Sequence, residues 1–517
     1  MSVLRSSIIL LFCFLVSPLV PTASAKDAWI SLHTRNYHLV GNVKESELRA
    51  IAVQLERFRH IFTKQFENAA LNSPVPTTVV VFKNSGSFDP YKRVANVASA
   101  AYFQPGEDMN YIAMALGNWV SDPFEMIFHE SVHLLVNNKV RSLPSWFNEG
   151  LAEYYSTLYF LPEKKPGDKR VAFGKPILHH LIKLRENKLL PLETVFSVDQ
   201  SSPFYNEGDK KSMFYAESWA LIHYLTHGRS GERQPQLARF LELLTARLPV
   251  QDSFKQAFGE DYSSLERELK DYVRQDKFPA KVVSFEEPAG TNTDSKIEKL
   301  SEAQALSSLG DLLLHTNHFD AADQHLKKAL TLAPELSTAN ASLGVLRLRQ
   351  GDVAAAKGLL QKAIASDQNN YLAQYYYADA LSREEMGADR KVLNYPPESV
   401  ARMRTALNKA IEVAPGFPEP YRLLAFVNLA ANTQLTESVA LLEKAIALSP
   451  GRLDFSYVLA QVQLRRKDYK AARLTLEQVI AGNPSPQMRV QAEGMLKRVV
   501  TEEQNQRFRR VPRPARR

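Results

Sequence analysis

Residues 309–334, LGDLLLHTNHFDAADQHLKKALTLAP, recur 34 positions later as residues 343–368, LGVLRLRQGDVAAAKGLLQKAIASDQ. Both copies begin with Leu-Gly and then keep an alanine, a leucine and a second alanine at matching positions. A period of this length indicates helical hairpins that stack, each burying its apolar face on the next. Small residues such as Gly310 and Ala322 let the two helices of a hairpin approach closely. The repeat therefore predicts an all-α solenoid late in the chain.

Three later units keep the pattern of the second helix, with a proline that stops it. Their residues are Leu407, Ala410 and Pro415, then Leu442, Ala445 and Pro450, then Ala472, Leu476 and Pro484. This pattern resembles the tetratricopeptide repeat, with five units over about 180 residues. The resemblance implies a solenoid at residues 301–500 that binds protein partners. We expect a polar capping helix at residues 487–504 and a loop insertion in the third unit at residues 388–398.

The chain has 517 residues, 45% of them hydrophobic, so two or three folded domains are expected. Residues 1–25 contain one charge, an apolar run and an Ala-Ser-Ala ending, which predict a cleavable secretory signal of bacterial type. Residues 286–300 predict a linker, because most of the segment is polar or small. The first folded domain then spans residues 26–285. An exported protein, periplasmic or secreted, without a transmembrane segment is the expectation.

The formal net charge of +8 is concentrated at the two ends of the chain. Without Arg5 and the six arginines among the last eleven residues, residues 26–506 carry only +1. A nearly neutral body argues against a nucleic-acid-binding groove. Residues 501–517 are expected to form a basic disordered tail. The single cysteine, Cys13, lies in the signal, which excludes disulfides and thiolate metal ligands from the mature chain.

The first domain is expected to be mixed. Residues 29–43 and 77–82 predict strands, residues 45–66 a helix between them, and residues 101–114 a hairpin around Pro105-Gly106. Helices are predicted after that, at residues 123–138, 145–158, 176–187, 212–227, 235–246 and 261–276.

Residues 128–133, FHESVH, contain two histidines four positions apart, with a glutamate directly after the first. The residues around them predict a helix at 123–138, so His129 and His133 lie one turn apart on the same face. Two imidazoles in this arrangement can hold one metal ion. Glu130 is then placed to take a proton from a water that the metal polarises.

A catalytic zinc needs a third protein ligand, and residues 145–154, SWFNEGLAEY, offer two carboxylates. Glu149 lies 16 residues after His133, and Glu153 lies 20 residues after it. Both lie in the helix predicted at residues 145–158, so either carboxylate could be the third ligand.

His-Glu-x-x-His followed by Asn-Glu-Gly-x-Ala resembles the gluzincin metallopeptidases of the peptidase MA superfamily. The resemblance implies an α+β fold, in which a gluzincin-like metallopeptidase domain with a small sheet and a helical half precedes the all-α solenoid. It implies zinc as the cofactor and Glu149, the glutamate of Asn-Glu-Gly, as the third ligand after His129 and His133. By spacing, Glu153 fits the thermolysin branch of this superfamily and stays open as the alternative ligand. The motif favours Glu149, because the intervening loop can vary while the ligand must present from a helix turn. Glu153 would then be a carboxylate that orients one of the histidines.

Residues 214–221, FYAESWAL, resemble the helix on which gluzincin aminopeptidases carry a catalytic tyrosine. On that mapping Tyr215 donates a hydrogen bond to the oxyanion formed when water attacks a carbonyl. The alternative is plain core packing, since Tyr215, Trp219 and Ile222 share one helix face. Substrate is expected to bind by strand addition along residues 110–114. That stretch lacks the Gly-x-Met-Glu-Asn run of the aminopeptidase branch, which favours endopeptidase action.

Other histidines are weaker candidates for metal ligands. Four of them in the first domain could be ligands but are interpreted as structural, because no acid and third ligand lie nearby in the sequence: His179, His180, His223 and His227. The three histidines of the first repeat, His315, His318 and His325, are interpreted as solvated.

The main hypothesis is an exported zinc-dependent endopeptidase that cleaves peptide or protein substrates with Glu130 as general base, while the repeats bind substrates or partner proteins. One alternative is a protein-interaction scaffold built on the solenoid, with an inactive or structural metal site. A second is zinc-dependent hydrolysis of a non-peptide amide such as a cell-wall linkage.

Overall fold

The computed structural model describes residues 28–66, 74–93, 101–117, 123–137, 143–199, 202–245, 248–287, 295–386, 395–482 and 484–510. The predicted signal, residues 1–25, lies outside the described residues, as does most of the predicted insertion at 388–398. Within the described residues, no helix combines the length and the apolar character needed to cross a bilayer.

Nine strands within the described residues form two sheets. They are β1 (Ile30–His33), β2 (Tyr37–Gly41), β3 (Thr77–Phe82), β4 (Ala101–Gln104), β5 (Asn110–Ala115), β6 (Tyr159–Leu161), β7 (Arg170–Phe173), β8 (Lys281–Ser284) and β9 (Ile297–Lys299). The larger sheet has the order β4-β5-β3-β2-β1-β9 and the smaller one β6-β7-β8. β3 pairs in parallel with β2 and β5, and the other pairs are antiparallel. The β-branched run of β3 is buried throughout, as expected for a central strand covered on both faces.

The helices of the first domain largely follow the predicted pattern. They are α1 (Glu45–Gln65), α2 (Ser85–Phe88), α3 (Pro123–Asn137), α4 (Ser145–Ser156), α5 (Leu178–Glu186), α6 (Leu192–Ser197), α7 (Pro203–Asn206), α8 (Gly208–His227), α9 (Gln234–Thr245), α10 (Val250–Phe258) and α11 (Tyr262–Val273). α1 and α3 pack together on one face of the larger sheet, where the rings of Phe58 and Phe128 stack 4.3 Å apart. α4 contacts both α3 and α8. The first domain therefore has the expected sheet and helical half.

Five helical pairs and one terminal helix form the described part of the solenoid. The pairs are α12 (Glu302–His315) with α13 (Phe319–Leu332), α14 (Ser337–Arg349) with α15 (Val353–Ser366), α16 (Tyr371–Met386) with α17 (Pro397–Val413), α18 (Glu419–Ala430) with α19 (Leu435–Leu448), and α20 (Leu453–Arg465) with α21 (Tyr469–Ala481). α22 (Pro486–Arg510) follows. A Cβ added to Gly310 would lie 2.8 Å from the side chain of Leu326, so a small residue is required there. The predicted helical solenoid is confirmed.

The second face of the larger sheet packs against the first repeats. Val80 and Tyr111 of the sheet share one buried cluster with Leu306 and Leu309 of α12. The sheet is therefore covered by the first domain's own helices on one side and by the solenoid on the other.

The segment predicted as a linker, residues 286–300, is partly ordered against the first domain. β9, within this segment, pairs with β1 and extends the larger sheet. Glu287 pairs with Arg57 at 2.7 Å and with Lys169 at 2.5 Å. Both described ends of the predicted linker therefore contact the first domain, because strand pairing and ion pairs with distant residues hold them although their composition is polar.

The sheet edge expected to bind substrate lies on a different strand. β5 pairs with both β3 and β4 and is therefore an interior strand, so the edge predicted at residues 110–114 belongs to β4 instead.

The predicted disordered tail, residues 501–517, is helical in its first part. α22 continues through Arg510, because Val499 is buried and Glu503 pairs with Arg473.

The histidines of the first repeat were also predicted to be solvated, and two of them are buried. His315 is 7% exposed and His325 is 3% exposed. The ring of His325 lies 3.0 Å from the hydroxyl of Tyr91 in the first domain. The prediction failed because the first domain covers this part of the repeat.

Candidate metal centre

The candidate site lies where α3 and α4 meet. His129 and His133 lie one turn apart on α3, with the buried face of that helix against the core. α4 packs closely on α8, since a Cβ added to Gly150 would lie 2.3 Å from the carbonyl oxygen of Ser218. This close approach fixes the rotation of α4 about its axis and directs the neighbouring Glu149 toward the two histidines.

Three ligand-type atoms form a small triangle there. Nε2 of His129 and Nε2 of His133 are 3.2 Å apart. Oε2 of Glu149 lies 3.5 Å from the first nitrogen and 3.4 Å from the second. The structure therefore brings together the three residues that the sequence predicts as ligands, and the three side chains form a group able to hold a metal ion.

The dimensions of the triangle suit a tetrahedral ion. Ligand atoms about 2.0 to 2.1 Å from such an ion lie about 3.3 to 3.4 Å from one another, which is the edge length observed. Oε2 of Glu149 is buried and makes no hydrogen bond of good geometry within the described residues, since the two imidazole nitrogens lie 3.5 and 3.4 Å away. A buried carboxylate oxygen without a donor is costly unless a cation completes it. Two imidazoles and one carboxylate are a usual donor set for zinc.

The charges of the three side chains are strongly coupled. Burial alone would lower the pKa of His129, but the carboxylate of Glu149 and the charges of Glu153 and Glu130 outweigh it and raise that pKa to about 9. Burial would raise the pKa of Glu149, but the two imidazoles hold it well below its usual range. The site thus favours positive charge between these side chains, which either a proton or a metal ion can supply.

Glu153, the alternative ligand, lies behind His129. Its Oε1 is 3.6 Å from Nδ1 of His129, while its Oε2 is 3.3 Å from Nε2 of His180. Burial raises the pKa of Glu153, but the contacts with both histidines lower it overall. A carboxylate on Nδ1 keeps the proton of His129 on that nitrogen and leaves Nε2 free to accept a cation.

Tyr205 is a site residue that the sequence analysis missed. Its hydroxyl donates a 2.6 Å hydrogen bond to Oε1 of Glu149. It lies on α7, a four-residue helix that begins after the cap residue Ser202. No motif surrounds it, and only proximity in the fold reveals its role.

Tyr215 also lies at the site, on α8. Its ring is nearly parallel to the ring of His129, with centroids 6.2 Å apart, and lies 6.3 Å from the ring of Tyr205. Burial, the charge of Glu149 and the neighbouring Tyr205 raise its pKa far above the usual value, so the hydroxyl keeps its proton. A protonated phenol beside the triangle is available as a hydrogen-bond donor.

Glu130 follows His129 directly on α3 and is partly exposed. Its negative charge helps to raise the pKa of both His129 and Tyr205. The predicted base is not one of the three residues grouped as possible ligands.

The other histidines of the first domain have different surroundings. His180 contacts Glu153, as described above, and so joins the site indirectly. His223 is buried, with its ring nitrogens 2.7 Å from the hydroxyl of Tyr272 and 2.8 Å from the carbonyl oxygen of Gly174. Nε2 of His227 lies 2.8 Å from the hydroxyl of Tyr154. His223 and His227 thus contribute to the packed core.

Family models match four segments of the chain. Three models described as tetratricopeptide repeat match residues 303–336, 342–391 and 429–494. The second half of the chain is a tetratricopeptide repeat solenoid. A fourth model, described as a protein of unknown function (DUF1570), matches residues 124–251, which include all the site residues named above. No curated protein matches the chain.

Solved structures resemble the chain only distantly. One is reported as pilF of Pseudomonas aeruginosa, with 19% identity, 39% of this chain and 86% of that chain covered, and a TM-score of 0.33. Another is YrrB, described as a tetratricopeptide repeat protein with an unusual peptide-binding site, with 18% identity, coverage of 37% and 92%, and a TM-score of 0.31. A tetratricopeptide repeat protein from Parabacteroides merdae has 12% identity, coverage of 62% and 99%, and a TM-score of 0.28.

Proposed function

We propose that the first domain is a zinc-dependent endopeptidase, which hydrolyses peptide bonds within a chain, and that the solenoid presents proteins to it. The observation that supports this most directly is the triangle of His129, His133 and Glu149, in which the buried Oε2 has no donor. The tetratricopeptide repeats by themselves support a role in protein interaction.

In this proposal His129, His133 and Glu149 hold the ion. When bound, zinc supplies a Lewis acid that makes water more acidic and polarises a carbonyl. Glu130, beside the triangle, accepts the proton of the attacking water and passes it to the leaving amine. The Tyr205 hydroxyl occupies Oε1 of Glu149 and so leaves Oε2 to face the two imidazoles.

Tyr215 is proposed to stabilise the transition state. Its phenol is protonated at neutral pH and lies beside the ring of His129. From there it can donate a hydrogen bond to the oxygen that gains negative charge as the carbonyl is attacked. Tyr205 donates its hydrogen bond to Oε1 of Glu149, so the two tyrosines have separate roles in this proposal.

We propose that substrate adds as a strand to β4. β4 pairs with β5 on one side and is the last strand of the larger sheet in the described residues. It also contacts α3, which carries the two histidines. A peptide that extends the sheet at β4 would therefore run past the metal-binding helix.

Zinc content and cleavage of unfolded casein test the proposal together. The full-length protein should contain about one zinc per chain and cleave casein. Glu130→Gln should keep the zinc and lose at least a hundredfold in rate, because its carboxylate is the base. Glu125→Gln, an exposed residue of the same helix, is the matched control and should keep the activity. Equal cleavage by Glu130→Gln and the parent protein would remove the peptidase proposal.

The second candidate is a scaffold whose working part is the solenoid. The matches to repeat models favour it, since they account for an interaction role without any hydrolysis. A scaffold would bind zinc or leave the site without metal, and would cleave neither casein nor envelope polymer. Cleavage of envelope polymer but not casein would instead support hydrolysis of a non-peptide amide.

A further inference from the structure

The turn that joins β4 and β5 packs against the solenoid, and one of its residues is buried there. This turn, residues 105–109, is named the hairpin tip. Asp108 in the tip is only 4% exposed, although a charged residue in a tight turn is usually solvated. Its Oδ2 accepts a 2.5 Å hydrogen bond from the hydroxyl of Tyr376, and its Oδ1 lies 3.1 Å from Nε2 of His315. The residues that hold this carboxylate therefore belong to the repeats.

The residues around Asp108 come from the first helices of three consecutive repeats. His315 is the last residue of α12, Arg349 is the last residue of α14, and Tyr376 lies in α16. The charge of Arg349 acts on Asp108 and helps to stabilise its ionised form. These three helices contact one another in sequence, so the carboxylate sits on one continuous face of the solenoid.

His315 must carry a positive charge to make its contacts. Its Nδ1 lies 2.8 Å from the carbonyl oxygen of Asp311, and its Nε2 faces the carboxylate of Asp108. Both partners are acceptors, so both ring nitrogens must donate. A charged imidazole and a phenol hydroxyl that converge on one carboxylate form a site selective for an acidic side chain.

The tip is held in the shape that fits this site. The amide of Gly106 donates to Oδ1 of Asn110 at 3.2 Å, and the amide of Met109 donates to Oδ1 of Asp108 at 3.0 Å. A Cβ on Gly106 would lie 2.1 Å from the carbonyl oxygen of Met109, so the turn requires glycine. The adjacent Glu107 is 79% exposed at its side chain, and its carboxylate lies 3.7 Å from the guanidinium of Arg452, the residue before α20.

We propose that the first helices of repeats one to three form a binding site for an acidic turn. The hairpin tip occupies this site as an internal ligand. A partner protein with an exposed Asp-containing turn competes with the tip for it. This proposal does not depend on hydrolysis by the first domain. Because the tip is tethered, its effective concentration at the site is on the order of millimolar. A partner must therefore bind tightly enough to displace the tip, or bind when the tip has already left the site.

The test uses a labelled cyclic peptide with the sequence of residues 103–111, FQPGEDMNY. Asp108→Ala in the full-length protein empties the site of its own carboxylate and should bind the peptide, as measured by fluorescence anisotropy. The parent protein and Glu107→Ala, the matched control, should bind it at least about tenfold more weakly, because the tethered tip still competes. The D108N form of the peptide should also bind Asp108→Ala at least about tenfold more weakly, because it lacks the charge.

Two results would overturn the proposal. One is failure of the peptide to bind Asp108→Ala when circular dichroism and thermal unfolding show that variant to be folded. The other is equal binding of the peptide and its D108N form. If Asp108→Ala does not fold, Tyr376→Phe removes only the hydroxyl. Hydrogen exchange at the amides of Gly106 and Met109 should then be faster than in the parent protein, and unchanged protection would refute the site.

Discussion

The hydroxyl of Tyr205 donates a 2.6 Å hydrogen bond to one carboxylate oxygen of Glu149, 56 residues earlier in the chain. The other oxygen, Oε2, faces His129 and His133 at 3.5 and 3.4 Å. The two oxygens of one carboxylate thus have different tasks. One is fixed by a donor, and the other is directed to where a cation would bind.

Tyr205→Phe is expected to lower zinc affinity about 10- to 100-fold, because a residue that orients a ligand has an effect of this size. Competition with a chromogenic chelator measures the affinity without any assay of cleavage. Tyr159→Phe, at a more exposed tyrosine in β6, is the control and should leave the affinity unchanged. Unchanged zinc affinity in Tyr205→Phe would show that the hydrogen bond does not orient a metal ligand.

Glu149→Gln and Glu153→Gln separate the two candidate ligands. Oε2 of Glu149 lies within 3.5 Å of both Nε2 atoms, whereas Glu153 contacts Nδ1 of His129 at 3.6 Å. Glu149→Gln should therefore abolish tight zinc binding, while Glu153→Gln should weaken it about 10- to 100-fold. Metal content after dialysis and chelator competition provide the two measurements. The reverse order of effects would make Glu153 the ligand.

Gly150→Ala tests the packing that directs Glu149. The added methyl group would lie 2.3 Å from the carbonyl oxygen of Ser218, so α4 and α8 must separate. Overpacking of this kind costs about 1 to 3 kcal/mol, and thermal unfolding should show the loss. Zinc affinity should fall as well, since Glu149 moves with α4.

Gly358→Ala is the matched control for that substitution. Gly358 is an exposed helical glycine in α15, and nothing lies within 4 Å of an added Cβ. Alanine should stabilise this helix by about 0.5 to 1 kcal/mol. A similar change in melting temperature for both variants would mean that the contact between α4 and α8 is not tight.

The sequence predicted elements whose signal is local. The β-branched run at Thr77–Phe82 correctly predicted the central strand, and the 34-residue period correctly predicted the solenoid. The spacing of His129 and His133 required only that α3 be helical. These features depend on residues close together in the chain, so periodicity and motif were sufficient to predict them.

Features formed by distant segments were not predicted. Glu149 and Glu153 lie one turn apart on α4, so their spacing alone could not decide which faces the histidines, and the contact of Gly150 with α8 sets that rotation. β9 joins β1 across most of the first domain. Burial of His315 requires the sheet to cover the first repeat, which no periodicity within the repeat reveals.

The contact between His315 and Asp108 predicts a pH dependence of stability. Burial would lower the pKa of His315, but Asp311 and Asp108 outweigh it and raise that pKa to about 9. A raised pKa means that the folded protein holds this proton more tightly than the unfolded chain does. The resulting stabilisation is complete below about pH 6.5 and is lost as pH rises through about 9.

His315→Gln should therefore reduce the melting temperature at pH 6 and flatten its decline between pH 6.5 and 9. The groups that face His315 are Asp108, Asp311 and the ring of Tyr111. His315→Gln removes the imidazole and leaves these neighbours in place, so the change in slope reports the imidazole. His318→Gln, at a partly exposed histidine in the same repeat, should keep the slope of the parent protein. An unchanged slope in His315→Gln would mean that the proton is not held between the sheet and the solenoid, and that the hairpin tip is bound without a charged partner.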